Sequence, residues 1–161
     1  MIRETWGNKT LAPNDFKLIF LVGQSDKSKI NELLVEEFQK HNDILQLNNF
    51  LDSYDYLTIK VMKGFKWISK YCKNAQYVLR INDDVLVNTF SLMNFFKNVL
   101  YKQNQLYGHL LRKSRPVRFR HKHMVSIFQY EKEFYPDYPE GVISIFFFNN
   151  EFYHMKAFEF I

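Results

Sequence analysis

Short apolar runs alternate with segments of helical periodicity over the first part of the chain, and this alternation constrains the fold most strongly. Residues 16–23 form a short apolar run between turn-forming residues, which predicts a buried strand. In residues 28–41, apolar side chains recur every three or four positions, which predicts an amphipathic helix capped by Ser25 or Asp26. A strand followed by such a helix is typical of an α/β fold.

The alternation continues to residue 111, where it becomes less regular. Five further elements are predicted in the order strand, helix, strand, helix, strand, over residues 43–47, 54–71, 76–81, 89–101 and 106–111. Asn88 or Thr89 would cap the helix over 89–101. A β-rich segment is predicted over 124–128. With no internal repeat and no linker, we expect a single domain over residues 1–161.

The net charge limits the class of partner. Twenty-two lysines and arginines against 17 aspartates and glutamates give a charge of +5, which favours nucleic acid, a membrane surface or a phosphate-bearing small molecule. The basic residues are densest over 112–122, where Phe119 is the only aromatic residue. Because single-strand binders interleave bases with several stacking aromatics, we expect no nucleic-acid partner. The stretch could instead line a phosphate site or be a solvated loop.

Two further absences narrow the possibilities. Cys72 is the only cysteine, which excludes an internal disulfide framework and a multi-cysteine zinc site. No run approaches the roughly 18–20 apolar residues that cross a bilayer. The longest apolar run, residues 142–148, is expected to be an exposed strand that lacks downstream partners.

Two adjacent carboxylates, Asp83 and Asp84, directly follow the strand predicted over 76–81 and are preceded by Asn82. Ligands of open α/β sheets bind outside the carboxyl ends of strands. Carboxylate oxygens are hard donors that hold Mg²⁺ or Mn²⁺ together with substrate phosphates. The alternative is a solvated turn, because Asn and Asp are also favoured there.

One sequon is present. Asn8, Lys9 and Thr10 match the N-glycosylation acceptor sequence, so Asn8 is expected to carry a glycan if the chain enters the secretory pathway.

A series of short blocks resembles the β-1,3-galactosyltransferase family, in the same order and from residue 2 to about 141. They are IRETWG (2–7), IFLVG (19–23), DILQ (43–46), NFLDSY (49–54), LTIK (57–60), Trp67, Cys72, YVLRINDDV (77–85), PVR (116–118), Lys122 with residues 125–126, Tyr130, and YPDYPEG (135–141). One such block could arise by chance, but the ordered series indicates the family.

The resemblance implies a fold and a reaction. The fold would be α/β of the GT-A type, a Rossmann-like nucleotide-sugar domain truncated at both ends. Its donor-binding half would cover about 1–111 and its acceptor-side segment about 112–161. The reaction would be the inverting transfer of galactose or N-acetylglucosamine from UDP-galactose or UDP-N-acetylglucosamine to a glycan acceptor in β-1,3 linkage, with Mn²⁺. The alternative is a catalytically inactive fragment that binds a UDP-sugar or a glycan.

The resemblance also implies a location and site residues. The protein would lie in the Golgi membrane, held only by an anchor outside this chain. The metal site would comprise Asn82, Asp83 and Asp84, with Asp84 on the metal and Asp83 on the ribose or sugar. The donor site would comprise Arg3, Asp52, Lys60, Arg80 and Asp83. The acceptor side would comprise Arg118, Lys122, Tyr135, Tyr138 and Gly141.

The chain departs from the family pattern in three places. Asn82 stands at the first of three acids, which removes one charge from the metal site. Pro139 stands where the family often has cysteine. No segment matches the one that supplies the family's catalytic base, so no catalytic residue is assigned.

Overall fold

The computed structural model describes residues 1–8, 10, 16–98, 106–119 and 121–147. The chain divides into two compact units: unit 1 comprises Met1–Lys73 and Val87–Asn94, and unit 2 comprises Asn74–Leu86 and Phe95–Ile161. The mixed α/β class is confirmed, whereas the GT-A type and the single domain stay predictions. Among the described helices, none has the length and apolar character needed to cross a membrane.

Unit 1 is built on a parallel pair of strands joined by a helix. Strand β1 (Phe20–Gln24) pairs with β2 (Ile44–Leu51), and α1 (Ser28–His41) connects them. Helix α1 has the predicted bounds, and Asn42 ends it in the left-handed conformation at φ 50°. β1 begins later than predicted. β2 continues through residues 48–51, beyond the strand predicted over 43–47, because it follows its partner to the pair Gln24 and Leu51.

Helix α2 (Leu57–Tyr71) packs on this pair after a 3₁₀ turn, Tyr54–Tyr56, so the predicted helix over 54–71 is confirmed with a tighter start. Gly64 allows the contact, because a Cβ there would lie 2.7 Å from the Leu21 side chain. Helix α3 (Thr89–Asn98) begins after Asn88, whose side-chain oxygen accepts a hydrogen bond from the Ser91 N–H at 2.9 Å. Asn88 is therefore the cap.

The predicted caps of α1 are wrong. Its N-cap position is Lys27, without a side-chain cap, while the backbone N–H and C=O of Ser25 bond to the Asn31 side chain. The amide of Asn31 fixes the backbone before the helix, so Ser25 and Asp26 are not needed as caps.

Unit 2 contains an antiparallel sheet with a late strand at its centre. Strand β3 (Tyr77–Ile81) is followed in the chain by β4 (Leu106–Tyr107) and β5 (Leu110–Leu111), then by β6 (Tyr138–Pro139) and β7 (Ile143–Phe147). β7 pairs with β3 on one side and β4 on the other. The expected exposed strand over 142–148 is therefore wrong for the described residues, since β7 is paired on both sides.

The strand predicted over 106–111 is divided in two. Gly108 separates β4 from β5, and a Cβ there would lie 2.9 Å from the Cβ of Pro139 and 3.3 Å from the carbonyl oxygen of Ile143. β5 then pairs with β6 in a separate sheet. The β-rich segment predicted over 124–128 is also wrong, because only an isolated bridge between Val117 and Met124 forms before the chain turns.

Candidate functional site

A hydrogen-bonded cluster lies at the carboxyl end of β1. Asp52 follows β2, and its backbone N–H donates to the carbonyl of Gln24 at 2.8 Å. Its Oδ2 accepts from the Gly23 N–H at 2.7 Å, and the Lys60 ammonium lies 2.9 Å from both carboxylate oxygens. Lys60 belongs to the first turn of α2. The structure thus brings together two predicted donor-site residues, Asp52 and Lys60.

The cluster requires glycine at position 23, because the main chain of Asp52 lies very close to β1 there. A Cβ at Gly23 would lie 2.9 Å from the Cβ of Asp52, 3.0 Å from its nitrogen and 3.1 Å from its Cα. These atoms belong to the main chain or are fixed to it, so they cannot rotate aside. Only glycine allows the carboxylate of Asp52 to reach the backbone N–H of β1.

Two amide side chains extend the polar end of this sheet. Asn31 of α1 accepts from the Ser25 N–H at 2.9 Å and donates to the Ser25 carbonyl at 2.8 Å. Gln46 of β2 donates to the Asn31 oxygen at 3.3 Å. Sequence analysis missed both residues. A polar residue inside the apolar strand, Gln46, was the signal that could have indicated them.

Arg3 lies at the opposite end of β1. Its Nε and Nη2 donate to the two carboxylate oxygens of Asp43 at 2.7 and 2.8 Å, and Nη1 donates to Glu37 at 2.5 Å. Its guanidinium carbon lies 4.5 Å from the ring centroid of Phe20, the first residue of β1. The hydrogen bonds to Asp43, and secondarily to Glu37, raise the pKa of Arg3 above its ordinary value despite partial burial.

This placement separates Arg3 from the other predicted donor-site residues of unit 1. Asp43 is only 6% exposed, and the bidentate arginine supplies a countercharge for it. Asp52 and Lys60 meet β1 at Gly23, three residues beyond Phe20, where Arg3 lies. At about 3.3 Å per residue, these two positions in β1 are about 10 Å apart. Arg3 therefore ties the N-terminal turn to α1 and β2, and the structure does not bring it to Asp52.

In unit 2, the predicted metal residues form a turn directly after β3. The Asn82 N–H donates to the carbonyl of Val142 at 3.2 Å. Asp83 and Asp84 are exposed, and their carboxylates have no hydrogen-bond or ion-pair partner within the described part of the chain. No group of three or more His, Cys, Asp or Glu side chains that could hold a metal occurs among the described residues. A metal at this turn would need ligands from a bound molecule or water.

Arg80 fixes the turn at residues 140–142, which contains the predicted acceptor-side residue Gly141, beside these acids. Its Nη1 donates to the carbonyl of Gly141, and burial lowers the pKa of Arg80 below its ordinary value. The Ser144 hydroxyl donates to the carbonyl of Glu140 at 3.5 Å. Together with the bond from Asn82 to Val142, these contacts hold residues 140–142 against the end of β3. The structure thus brings Gly141 together with Arg80 and the Asn82–Asp84 turn.

Arg118 holds together the segment that was predicted to face the acceptor. Its guanidinium donates to the carbonyls of Val125 and Ser126 through Nη1 and to the carbonyl of Lys132 through Nη2, each at 3.0 Å. Lys122 is exposed within the loop that Arg118 holds. The structure therefore gives Arg118 a loop-organising role, in addition to any contact with a substrate.

Three tyrosines pack together in the same segment. The ring of Tyr135 lies 4.8 Å from that of Tyr130 and 5.9 Å, edge to face, from that of Tyr138. Burial raises the pKa of Tyr135, and the charge of Arg118 opposes this rise. Of the predicted acceptor-side residues, Arg118, Tyr135 and Tyr138 are thus neighbours.

A comparison with protein families identifies the family to which the chain belongs. The Galactosyltransferase family model matches residues 1–152. The chain belongs to the galactosyltransferase family. The predicted resemblance is thereby confirmed, and the match extends beyond the blocks that ended near residue 141.

The chain is similar to proteins whose names contain different sugars. It is 34% identical over 151 residues to human "Beta-1,3-galactosyltransferase 2", covering 90% of this chain and 36% of that protein. It is 33% identical over 150 residues to the rat "UDP-GlcNAc:betaGal beta-1,3-N-acetylglucosaminyltransferase 7", covering 88% and 38%. It is 32% identical over 146 residues to the rat "UDP-GalNAc:beta-1,3-N-acetylgalactosaminyltransferase 1", covering 88% and 44%.

The chain spans less than half the length of these relatives. The names of the relatives share a β-1,3 linkage and differ in the sugar.

Proposed function

We propose that this chain forms the UDP-sugar-binding part of a β-1,3-hexosyltransferase that transfers galactose or N-acetylglucosamine to a glycan acceptor. The observation that carries the proposal is the cluster of Gly23, Asp52 and Lys60 at the carboxyl end of a parallel strand pair. Nucleotides bind at this end of open α/β sheets. The family match over residues 1–152 supports the same function.

The cluster suits the nucleoside and its phosphates. A carboxylate after a strand is a common hydrogen-bond acceptor for ribose hydroxyls. The Asp52 carboxylate is preorganised for this role by the Gly23 N–H and the Lys60 ammonium. The ammonium also places a positive charge where a diphosphate would approach.

The turn after β3 suits a divalent cation. Two exposed carboxylates and the amide of Asn82 supply the hard oxygen donors that Mn²⁺ and Mg²⁺ accept. In this proposal Asp84 holds Mn²⁺, and Asp83 and Asn82 contribute to the metal or the donor sugar. When bound, the ion would stabilise negative charge on the UDP leaving group.

The acceptor would approach from the side of residues 135–141. Arg80 holds the Gly141 carbonyl beside the Asn82–Asp84 turn, which supports an acceptor turn next to the donor sugar. Tyr135 and Tyr138 supply aromatic faces and hydroxyls for a glycan. An acceptor hydroxyl would displace UDP at the anomeric carbon with inversion, while the residue that removes its proton stays unassigned.

A catalytically inactive UDP-sugar or glycan-binding fragment is the second candidate. Asn82 at the first position of the acidic turn favours it, because a neutral amide weakens metal binding relative to a carboxylate. Transfer assays with UDP-galactose, UDP-N-acetylglucosamine and UDP-N-acetylgalactosamine separate the two. Release of UDP with a glycosylated acceptor supports the enzyme, and binding without product supports the second candidate.

The proposed location is the Golgi membrane, and Asn8 would then carry an N-linked glycan. The Asn8 carboxamide oxygen accepts from the Thr10 N–H at 2.9 Å and from its hydroxyl at 2.8 Å. Both hydrogen bonds use the carboxamide oxygen, whereas a glycan would attach at the amide nitrogen. A glycosidase-sensitive mass shift lost in Thr10→Ala would support it.

The donor site is tested by thermal unfolding with UDP and Mn²⁺. We expect UDP with Mn²⁺ to raise the Tm, since a ligand at about 100 times its Kd adds about 2.7 kcal/mol. The shift should vanish in Asp84→Ala and persist in Asp55→Ala, an exposed aspartate outside the turn. If the Tm does not change when UDP and Mn²⁺ are added, the result contradicts the proposed donor site.

A further inference from the structure

The register of the strand pair β1 and β2 shifts beside Gly23. The residues on either side of Gly23 pair with Gln46 and Leu51, so residues 47–50 bulge opposite it. Two side chains contact its peptide groups there. Asp52 accepts from the Gly23 N–H at 2.7 Å, and Gln46 Nε2 donates to the Gly23 carbonyl at 3.5 Å. Gln46 and the proposed donor-site residue Asp52 therefore contact the same residue of β1.

The orientation of the Gln46 amide follows from the backbone of Ser25. The Ser25 N–H donates to Asn31 Oδ1 at 2.9 Å, and Asn31 Nδ2 donates to the Ser25 carbonyl at 2.8 Å. Because a backbone N–H only donates and a carbonyl only accepts, these bonds fix which end of the Asn31 amide is the oxygen. Gln46 must then direct its Nε2 to that oxygen, at 3.3 Å, and to the Gly23 carbonyl.

This arrangement leaves Gln46 Oε1 as an available acceptor. Within the part of the chain that the structure describes, this oxygen accepts no hydrogen bond. No buried side-chain nitrogen or oxygen of the described residues lacks a partner, so Oε1 is open to solvent. The hydrogen bonds of Nε2 hold the amide in place. A fixed acceptor of this kind binds an N–H or O–H donor of a ligand with little reorganisation.

Of the base, ribose and diphosphate of UDP, the base supplies the donor that suits this oxygen. The ionised diphosphate has only acceptors, and its charge favours the Lys60 ammonium. In the proposed donor site the ribose hydroxyls donate to the Asp52 carboxylate. The remaining donor of UDP is the ring N–H at N3 of uracil. Cytosine differs from uracil at this atom, because its N3 is an acceptor.

We propose that Gln46 selects uridine nucleotides by accepting a hydrogen bond from the uracil N3–H through Oε1. Asn31 is a positioning residue, because it acts on the base only through the Gln46 amide. This inference rests on the proposed UDP site and names the residue that recognises the base within it.

The hydrogen bond is tested first by comparing nucleotides on the unaltered chain. UDP, CDP and N3-methyl-UDP are titrated in the presence of Mn²⁺, and the Kd of each is measured by calorimetry. N3-methyl-UDP lacks the ring N–H, and CDP has an acceptor in its place. We expect both to bind about ten-fold more weakly than UDP, since the net contribution of one hydrogen bond reaches about a factor of ten.

The variant Gln46→Met assigns the effect to this side chain. Methionine keeps the length of glutamine and has no amide. We expect the Kd for UDP to rise about ten-fold and the preference for UDP over CDP to disappear. Gln39→Met is the matched control, because Gln39 is exposed on α1, and it should leave the preference unchanged. Asn31→Ala should reduce the preference as well, because the Gln46 amide would lose its fixed orientation.

The outcomes separate this inference from the proposed function. Equal Kd values of the unaltered chain for UDP, CDP and N3-methyl-UDP would overturn the inference and leave the UDP site in place. That comparison needs no variant, so it is decisive even if Gln46→Met does not fold. A preference for UDP that persists in Gln46→Met would also overturn it, since another group would then recognise the base.

A contact with the ribose is distinguished by 2′-deoxy-UDP. If Gln46→Met weakens binding of UDP but not of 2′-deoxy-UDP, Gln46 contacts the ribose and the assignment to the base is wrong. If UDP does not bind to the unaltered chain, both the inference and the proposed donor site are wrong.

Discussion

The carboxyl end of β1 and the turn after β3 are both acidic, yet their side chains are in opposite states. At β1, Asp52 accepts from Gly23 and is paired with Lys60 at 2.9 Å. At the turn after β3, the carboxylates of Asp83 and Asp84 have no partner within the described residues. The first carboxylate is part of the folded structure, and the other two are exposed to solvent.

The difference indicates that the two sites are organised for ligand binding in different ways. A carboxylate that is already hydrogen-bonded stabilises the fold and offers a fixed acceptor, with little reorganisation on binding. Adjacent exposed carboxylates repel each other and become stable neighbours when a cation lies between them. The β1 end should therefore be sensitive to substitution without ligand, and the turn should be sensitive only when ligand is present.

The largest effect is expected for Gly23→Ala. The added Cβ would meet Asp52 at 2.9 to 3.1 Å, so the main chain must move and the cluster must open. We expect a loss of about 2–3 kcal/mol in the free energy of unfolding, measured by urea denaturation. Gly141→Ala is the control, because its Cβ would lie 3.5 Å from Arg80, an ordinary contact. Equal losses in the free energy of unfolding in both variants would contradict a specific steric requirement at Gly23.

Asp52→Ala should have the next largest effect. It removes the acceptor of the Gly23 N–H and the partner of Lys60, and an unsatisfied partly buried donor costs about 1–2 kcal/mol. Denaturation measures this loss, and titration with UDP measures the accompanying loss of affinity. If stability falls while UDP binding is unchanged, the cluster is structural and the donor site lies elsewhere.

Lys60→Met should cost less, about 0.5–1 kcal/mol, because methionine keeps the apolar part of the side chain and the ion pair is only partly buried. The double variant Asp52→Ala/Lys60→Met completes a thermodynamic cycle. A coupling free energy near zero would show that the interaction between Asp52 and Lys60 adds nothing to stability beyond the separate contributions of the two side chains.

The smallest effect on stability is expected at the turn after β3. Asp83→Asn and Asp84→Asn should change the free energy of unfolding by less than about 0.5 kcal/mol in the absence of metal, because both side chains are exposed. In the presence of Mn²⁺ and UDP the same variants should lose the ligand-induced rise in Tm. A clear destabilisation without metal would mean that these acids have a structural partner and would remove the contrast with β1.

The elements that sequence analysis predicted best are those specified by local spacing. Helix α1 has the predicted bounds, and α2 ends at the predicted Tyr71, because apolar residues at three- and four-residue intervals define a helix without reference to distant residues. The division of the strand predicted over 106–111, in contrast, depends on distant contacts. Gly108 divides a predicted strand because Pro139 and Ile143 lie against it.

In the candidate site, too, local features could be predicted from the sequence, whereas distant contacts could not. The position of the Asn82–Asp84 turn after β3 was readable, since an apolar strand ends directly before it. The ion pair of Arg3 with Asp43 was not readable, because it joins residues 40 positions apart and depends on how the N-terminal turn meets β2. The resemblance grouped Arg3 with Asp52 and Lys60, whereas the structure places Arg3 at the other end of β1.

The central position of β7 has a consequence for biosynthesis. β1 can pair with β2 as soon as one crossover helix has been made. β3, in contrast, waits for a partner synthesised roughly 60 residues later, about 3–12 seconds at about 5–20 residues per second. During that interval the edge of β3 that pairs with β7 is open to other chains, so unit 2 is the part of a nascent chain that we expect chaperones to hold.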